Sequence, residues 1–284
     1  MSLQEKLTKN LQEVKKYLAS ITSQIPKLMV VSKYATTEQL FVHIVNNCLL
    51  IGENYVQEAQ RKFTSLQLIQ IVLQDQDKYQ VYFELIKQQD FSKLNSLLDI
   101  DFLDQTWQDI SFILNYQDQL RNQSFYQQVI SNLNSIQLHI IGNVQSRKID
   151  QVAQFAHSID SISNEKSLLK LAKSLEKYQR SMEILIQLKS NLADGENRAG
   201  CTEEEVYKLA EVTSQFPRIK LKGIMFIAST QNQAQEYEKA KAVFKKLKEL
   251  HPSVQTLSMG MSDSLEIALA HGSTQVRIGS ALFK

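Results

Sequence analysis

The sequence predicts an α/β protein: a single (β/α)8 TIM-type barrel with an extra N-terminal helix and a long segment inserted after the second βα unit. Three observations predict it. Eight short apolar runs, many of them β-branched, recur along the chain. Helical patterns separate most of them, the rhythm of parallel strands joined by crossover helices, and eight strands close such a barrel. Unusual polar residues gather at the C-terminal ends of these runs, the end at which barrels of this kind carry their reactive groups. An open doubly wound sheet is the competing architecture.

The elements follow in order. Leu3, Leu7, Leu11, Val14, Leu18 and Ile21 lie at helical spacing among polar residues, and Pro26 ends that amphipathic helix. The first apolar run is Lys27-Leu28-Met29-Val30-Val31-Ser32-Lys33; Thr36-Thr37-Glu38 then starts a helix to about Asn46. The second run is Leu49–Asn54, with another helix from near Val56. The third to eighth runs are Leu138–Asn143, His157–Asp160, Met182–Leu188, Leu221–Ile227, Thr256–Met261 and Gln275–Ser280. Helical patterns at Leu168–Tyr178, Glu203–Phe216, Gln233–Leu250 and Ser264–Ala270 lie between the later ones.

Residues 64–136 interrupt the rhythm. They contain neither glycine nor proline, are rich in Gln, Asn, Asp, Leu and Ile, and hold the chain's sole tryptophan, Trp107. Leu94–Phe102 and Ile110–Leu120 are candidate short helices. Three readings stay open for the insertion: a helical excrescence, a disordered or mobile loop, or translated unspliced sequence.

Composition narrows the function classes. A chain of 284 residues with 43% hydrophobic and 22% charged residues suits one globular domain spanning 1–284. A net charge of +2 demands neither nucleic acid nor an anionic membrane, and no stretch approaches the ~20 apolar residues of a membrane helix. Cys48 and Cys201 lie far apart, which argues against a disulfide framework or a zinc site. His43, His251 and His271 show no metal-binding spacing. The N-terminus has no apolar signal region, so the expected location is the cytoplasm, with mitochondria as a second place.

The polar residues at the run ends are Lys33, Glu53, Asn54, Asn143, Ser262, Arg277, Gly279 and Ser280. A lysine ending a buried strand either snorkels to solvent or, partly desolvated, becomes an amine nucleophilic toward aldehydes. Glu53 would pair with Lys33 or another cation of the barrel mouth, in a structural or a chemical role. Ser258-Met259-Gly260-Met261-Ser262-Asp263 and Arg277-Ile278-Gly279-Ser280 place small residues after the last two runs. They form either a phosphate cradle or ordinary tight barrel turns.

Several blocks together carry a resemblance. They are Val31-Ser32-Lys33, Gly52–Glu58, His139–Ser146, His157–Ser161, Gly223-Ile224-Met225, Leu257–Asp263, Gly272-Ser273-Thr274 and Val276–Phe283. In this order the chain resembles the pyridoxal phosphate homeostasis proteins, a family similar to the N-terminal domain of alanine racemase. The resemblance implies a fold type III barrel with pyridoxal 5′-phosphate (PLP) as a Schiff base on Lys33. It also implies Arg277 facing the pyridine nitrogen, Ser262, Gly279 and Ser280 on the phosphate, Asn54 and Met225 lining the ring pocket, and His139 nearby. The chain departs from the family pattern at Tyr34-Ala35, which would crowd the entrance, at Arg147, at Arg198-Ala199-Gly200 and at Asp263-Ser264.

The resemblance implies a protein that carries PLP and takes part in vitamin B6 and amino-acid homeostasis, with apo PLP-dependent enzymes as partners. An arginine opposite the ring nitrogen disfavours ring protonation and weakens the electron sink. The chain ends four residues after Ser280, leaving no room for the β-rich second domain of the related racemases, so a monomer without robust turnover is expected. A weak PLP-dependent racemase or related enzyme is the alternative. A PLP-free scaffold whose inserted segment binds a partner is a third reading.

Overall fold

A computed structural model describes residues 1–190 and 199–284. Its strands are β1 (Lys27–Val31), β2 (Leu50–Glu53), β3 (Gln137–Ile140), β4 (Ser158–Ile162), β5 (Met182–Leu188), β6 (Ile219–Phe226), β7 (Thr256–Ser258) and β8 (Gln275–Ile278). They are parallel and close into a barrel in sequential order, β8 returning to pair with β1. Lys27↔Gln275, Met29↔Arg277 and Val30↔Ile278 set that closing register. The opposite flank of β1 pairs with β2 through Val30↔Ile51 and Val31↔Gly52.

Most strands are shorter than the apolar runs that announce them. β1 stops at Val31: Ser32 N–H still reaches Gly52 O at 2.9 Å, and then Ala35 N–H turns back onto Ser32 O at 2.9 Å. Lys33 therefore sits in a turn just beyond the strand. β7 stops at Ser258, and Gly260 beyond it takes a left-handed φ of 96°. Met182–Leu188 is the run whose limits coincide with its strand.

The helices in chain order begin with α1 (Leu3–Ile21), α2 (Thr37–Val45) and α3 (Val56–Gln74). Four follow: α4 (Tyr79–Gln88), α5 (Phe91–Leu98), α6 (Asp104–Ile110) and, after a 3-10 turn at Ser111–Tyr116, α7 (Gln117–Leu120). Then come α8 (Gln123–Asn134), α9 (Ile149–Phe155), α10 (Glu165–Lys177) and α11 (Glu203–Thr213). The last are α12 (Gln233–Leu250), α13 (Leu265–Ala270) and α14 (Ser280–Phe283). Capping boxes start α1 (Ser2 with Glu5), α2 (Thr36 with Gln39) and α11 (Thr202 with Glu205), satisfying backbone N–H groups that the first turn leaves free.

The connection from β2 to β3 runs through α3 to α8, and its apolar residues pack into the same contiguous core as the barrel's. Trp107 is fully buried, stacks on Phe91 (ring centroids 6.2 Å apart) and donates Nε1–H to Asn95 Oδ1 at 2.9 Å. Phe41 of α2 meets Tyr116 edge-on at 5.0 Å. α8 also caps α2, because Asn132 Nδ2 donates to Ile44 O at 2.7 Å and Gln128 Nε2 to Val45 O at 2.9 Å. Val45 O is among the carbonyls that a helix C-terminus leaves unpaired, and Ile44 O also accepts Asn47 N–H at 2.9 Å.

Two histidines, His43 buried and His157 half-buried, couple the fold to pH. Burial pushes His43, which lies edge-on to Phe283, down to about 4. Burial, and next the Arg180 charge, push His157 down to about 4, and its Nδ1 accepts the Leu138 N–H at 3.1 Å. With folded values below the ordinary 6.5, the unfolded chain binds more protons between those limits. Stability is therefore full above pH ~6.5 and falls as pH drops toward ~4. Urea midpoints measured across that range should decline, and His43→Leu should flatten the decline.

Candidate functional site

The C-terminal ends of β8, β1 and β2 lie side by side because the barrel closes there. Two residues beyond the Val31↔Gly52 pair, Lys33 and Asn54 leave neighbouring strands. On the other flank Gly279 presses its backbone on β1: a Cβ at this position would lie 3.1 Å from Val31 O. Ser280, the next residue, opens α14. Gly142, beyond β3, gives the same kind of clearance to Asn54, since a Cβ there would sit 2.2 Å from Asn54 O. The register thus brings Lys33, Asn54, Gly279 and Ser280 to one rim, while Ser262 follows β7 at the start of a 3-10 turn.

Arg277 lies deeper, paired in register with Met29 and 4% exposed. Its Nη1 donates to Ser258 O at 2.8 Å and Ser258 Oγ at 2.9 Å, and its Nη2 donates to Phe226 O at 3.0 Å. One guanidinium therefore ties β8 to β7 and to the residue after Met225, which is itself 1% exposed. Among the described residues Arg277 forms no ion pair within 4.0 Å. Burial lowers its pKa from the ordinary value, against the opposing charges of Asp160 and Tyr237. Three of its five N–H donors are engaged, which leaves Nε–H and one Nη2–H for an acceptor.

His139 stands on β3, level with Gly52. Its Nδ1 lies 2.9 Å from Asp160 Oδ1, and Ser158 Oγ donates to the same oxygen at 2.6 Å. Asp160 is fully buried. The group is a polar layer inside the barrel, below the rim.

Lys33 is half-buried, with its ammonium 5.1 Å from the Tyr34 ring centroid. Tyr34 is 81% exposed, so the ring expected to crowd the entrance faces solvent. Lys33 also borders a cleft of about 470 Å³ between the β1–α2 turn and the α3–α6 surface, walled by Thr37, Glu58, Arg61, Asp109 and Phe112 among others. Arg61 pairs there with Asp109 and, at 3.0 Å, with Glu58. None of the other seven candidate residues lines this cleft.

The sequence reading left the partner of Glu53 open; the structure pairs it with Lys62 of α3 at 2.8 Å, both side chains buried. Lys62 carried a legible sign: it falls on the apolar stripe Ala59, Lys62, Leu66, Ile69, where a lysine needs a buried partner. Asp160 and Ser258 were equally unassigned. Arg198 lies outside the described residues. Cys48 and Cys201 are buried free thiols, and burial pushes Cys201 up to about 12. Among the described residues no group of three or more His, Cys, Asp or Glu side chains is placed to hold a metal, and no helix is long and apolar enough to cross a membrane.

A closed eight-stranded barrel with this rim is the architecture of a known class, and the chain belongs to it: residues 4–284 match the family described as alanine racemase, N-terminal domain. Among curated proteins it is similar to the pyridoxal phosphate homeostasis protein of Vibrio alginolyticus, 34% identical over 154 residues, which are 53% of this chain and 65% of that protein. The protein of the same name from Escherichia coli (strain K12) is 34% identical over 159 residues, 52% of this chain and 64% of that protein. The matched stretches thus span slightly less than two thirds of these relatives. Among solved structures, PipY of Synechococcus elongatus PCC7942 with PLP bound superposes with a TM-score of 0.65 at 20% identity, covering 98% of this chain and 100% of that one. D-threonine aldolase from Filomicrobium marinum shares the fold with a TM-score of 0.63 at 11% identity, over 99% of this chain and 61% of that one.

Asp160 organises the inner layer, so Asp160→Ala should lower stability by about 3 kcal/mol, because His139 and Ser158 lose a buried charged acceptor. Asp160→Asn should cost less, since one acceptor oxygen remains. Urea unfolding at pH 7 measures both.

Proposed function

We propose that this protein binds PLP at the C-terminal mouth of the barrel, holds it as an imine on Lys33, and acts as a carrier in vitamin B6 and amino-acid homeostasis. The observation that carries the reading is the rim itself. The turn that carries Lys33 neighbours the Asn54 turn on one flank and the Gly279-Ser280 turn on the other, and Arg277 is buried in the barrel wall with donors to spare. The donor set fits the cofactor. Lys33 offers the amine for the aldehyde, the hydroxyls of Ser262 and Ser280 with the Gly279 turn offer donors for a phosphate, and Arg277 offers N–H to a ring nitrogen. Asn54 and Met225 would flank the ring, and His139, tied to Asp160, lies beneath it.

Bound PLP supplies a reactive aldehyde and, when its ring is protonated, an electron sink. Arg277 only donates hydrogen bonds and stays cationic, so it leaves the ring nitrogen unprotonated and favours holding over carbanion chemistry. The relatives named for PLP homeostasis and the PLP-bound PipY structure support the same reading. Delivery to apo PLP-dependent enzymes in the cytoplasm, by a monomer, completes it.

Purified protein mixed with PLP should develop imine absorbance, and borohydride should fix it. Lys33→Ala should abolish both while leaving the circular dichroism spectrum unchanged. Equal absorbance and equal trapping in Lys33→Ala would remove Lys33 from its role.

A further inference from the structure

We infer that Lys62 and Glu53 act together as positioning residues for Lys33 and Asn54, holding the two rim turns from behind without touching a ligand. The inference rests on the function proposed above for those two residues. Glu53, the last residue of β2, has a fully buried side chain, and that of Lys62 is 3% exposed.

Every polar contact of the pair goes to the two turns. Lys62 Nζ donates to Ser32 O at 2.6 Å and to Glu53 Oε2 at 2.8 Å. Ser32 Oγ donates to the same carboxylate oxygen at 3.1 Å. Glu53 Oε1 accepts the N–H of Asn54 at 2.8 Å and of Tyr55 at 3.4 Å. Ser32 O also receives Ala35 N–H at 2.9 Å, so this carbonyl is the pivot of the turn that presents Lys33. One carboxylate thereby couples the turn bearing the amine to the turn bearing Asn54.

Stability alone is a poor explanation for the pair. Withdrawing two charges from water is costly, and apolar or neutral replacements of similar size are often tolerated. What an apolar replacement cannot reproduce is a donor that bridges Ser32 O and the Glu53 carboxylate, and an acceptor oxygen shared by the N–H groups of Asn54 and Tyr55. The two lysines also divide the work. Lys62 is buried and engaged, whereas Lys33, 29 positions earlier in the sequence, is half-exposed with its ammonium over an exposed ring.

The test is the double variant Glu53→Met/Lys62→Met, near-isosteric at both sites and lacking both the acceptor oxygens and the ammonium, with two readouts. In PLP-free protein, hydrogen exchange at the amides of Lys33–Thr36 and Asn54–Tyr55 should accelerate about tenfold, while amides of β4 and β5 keep their wild-type rates. With PLP, half-saturation of the imine absorbance should rise about tenfold, and its pH midpoint should move, as expected when a reacting group is displaced by a fraction of an ångström. A folded double variant with wild-type exchange at both turns overturns the inference. So does faster exchange with unchanged PLP affinity, because the pair would then hold the fold and not the site. If the double variant does not fold, Ser32→Ala serves in its place: smaller changes of the same sign are expected in both readouts, and wild-type values overturn the inference. A wild-type protein that forms no imine defeats the function proposed above; the exchange readout still decides whether the pair fixes the turns.

Discussion

Four register pairs between β1 and β8, from Lys27↔Gln275 to Val30↔Ile278, close the barrel, and the candidate site exists because they do. Lys33 and Ser280 are 247 positions apart in sequence. The closing ladder sets Gly279 against Val31 and puts Arg277 level with Met29. The β1–β2 ladder adds Asn54 on the other side. A shift of one residue in the closing register would turn Arg277 out of the barrel and an apolar neighbour into it, because side chains alternate between faces.

Two buried polar groups stand behind this geometry, and they differ in kind. Arg277 binds carbonyls and a hydroxyl from two other strands, so its charge is spread through the wall. Glu53 and Lys62 instead neutralise one another and spend their remaining bonds on backbone. The first arrangement ties three strands together through one cation, and the second ties the β1 and β2 turns to one carboxylate. Buried charges of either type are expensive unless fully hydrogen-bonded, which is why they mark the places where the fold answers to function.

The barrel was legible in the sequence because parallel strands buried on both faces read as short continuous apolar runs, as Met182–Leu188 does. Strand ends were less legible: Ser32 and Lys33 continue the run in composition, yet the ladder ends before them when the chain turns at Ser32 O. In the stretch after β2 the usual punctuation is missing. α4 ends on Gln89 and α5 on Asp99, both left-handed at φ 58° and 53°, positions where glycine would have flagged the boundary. Helix limits there could not be read, and the candidate helix Leu94–Phe102 is realised as α5, shifted toward the N-terminus. Of the site, Lys33, Asn54, Arg277, Gly279 and Ser280 were visible as polar residues ending apolar runs. Lys62 was marked only by its place on the apolar stripe of α3, with nothing to name its partner, and the cleft beside Lys33 depends on α3 and α6 meeting across sequence distance.

The central claim is that PLP sits inside the barrel mouth on Lys33. A crystal structure of the protein soaked with PLP tests it most directly. The account predicts continuous density from Lys33 Nζ to the cofactor, the ring nitrogen within hydrogen-bond reach of Arg277, and the phosphate against Ser262, Gly279 and Ser280. Density joined to another lysine, or PLP lodged in the outer cleft against Arg61 and Asp109 with Arg277 untouched, would contradict it.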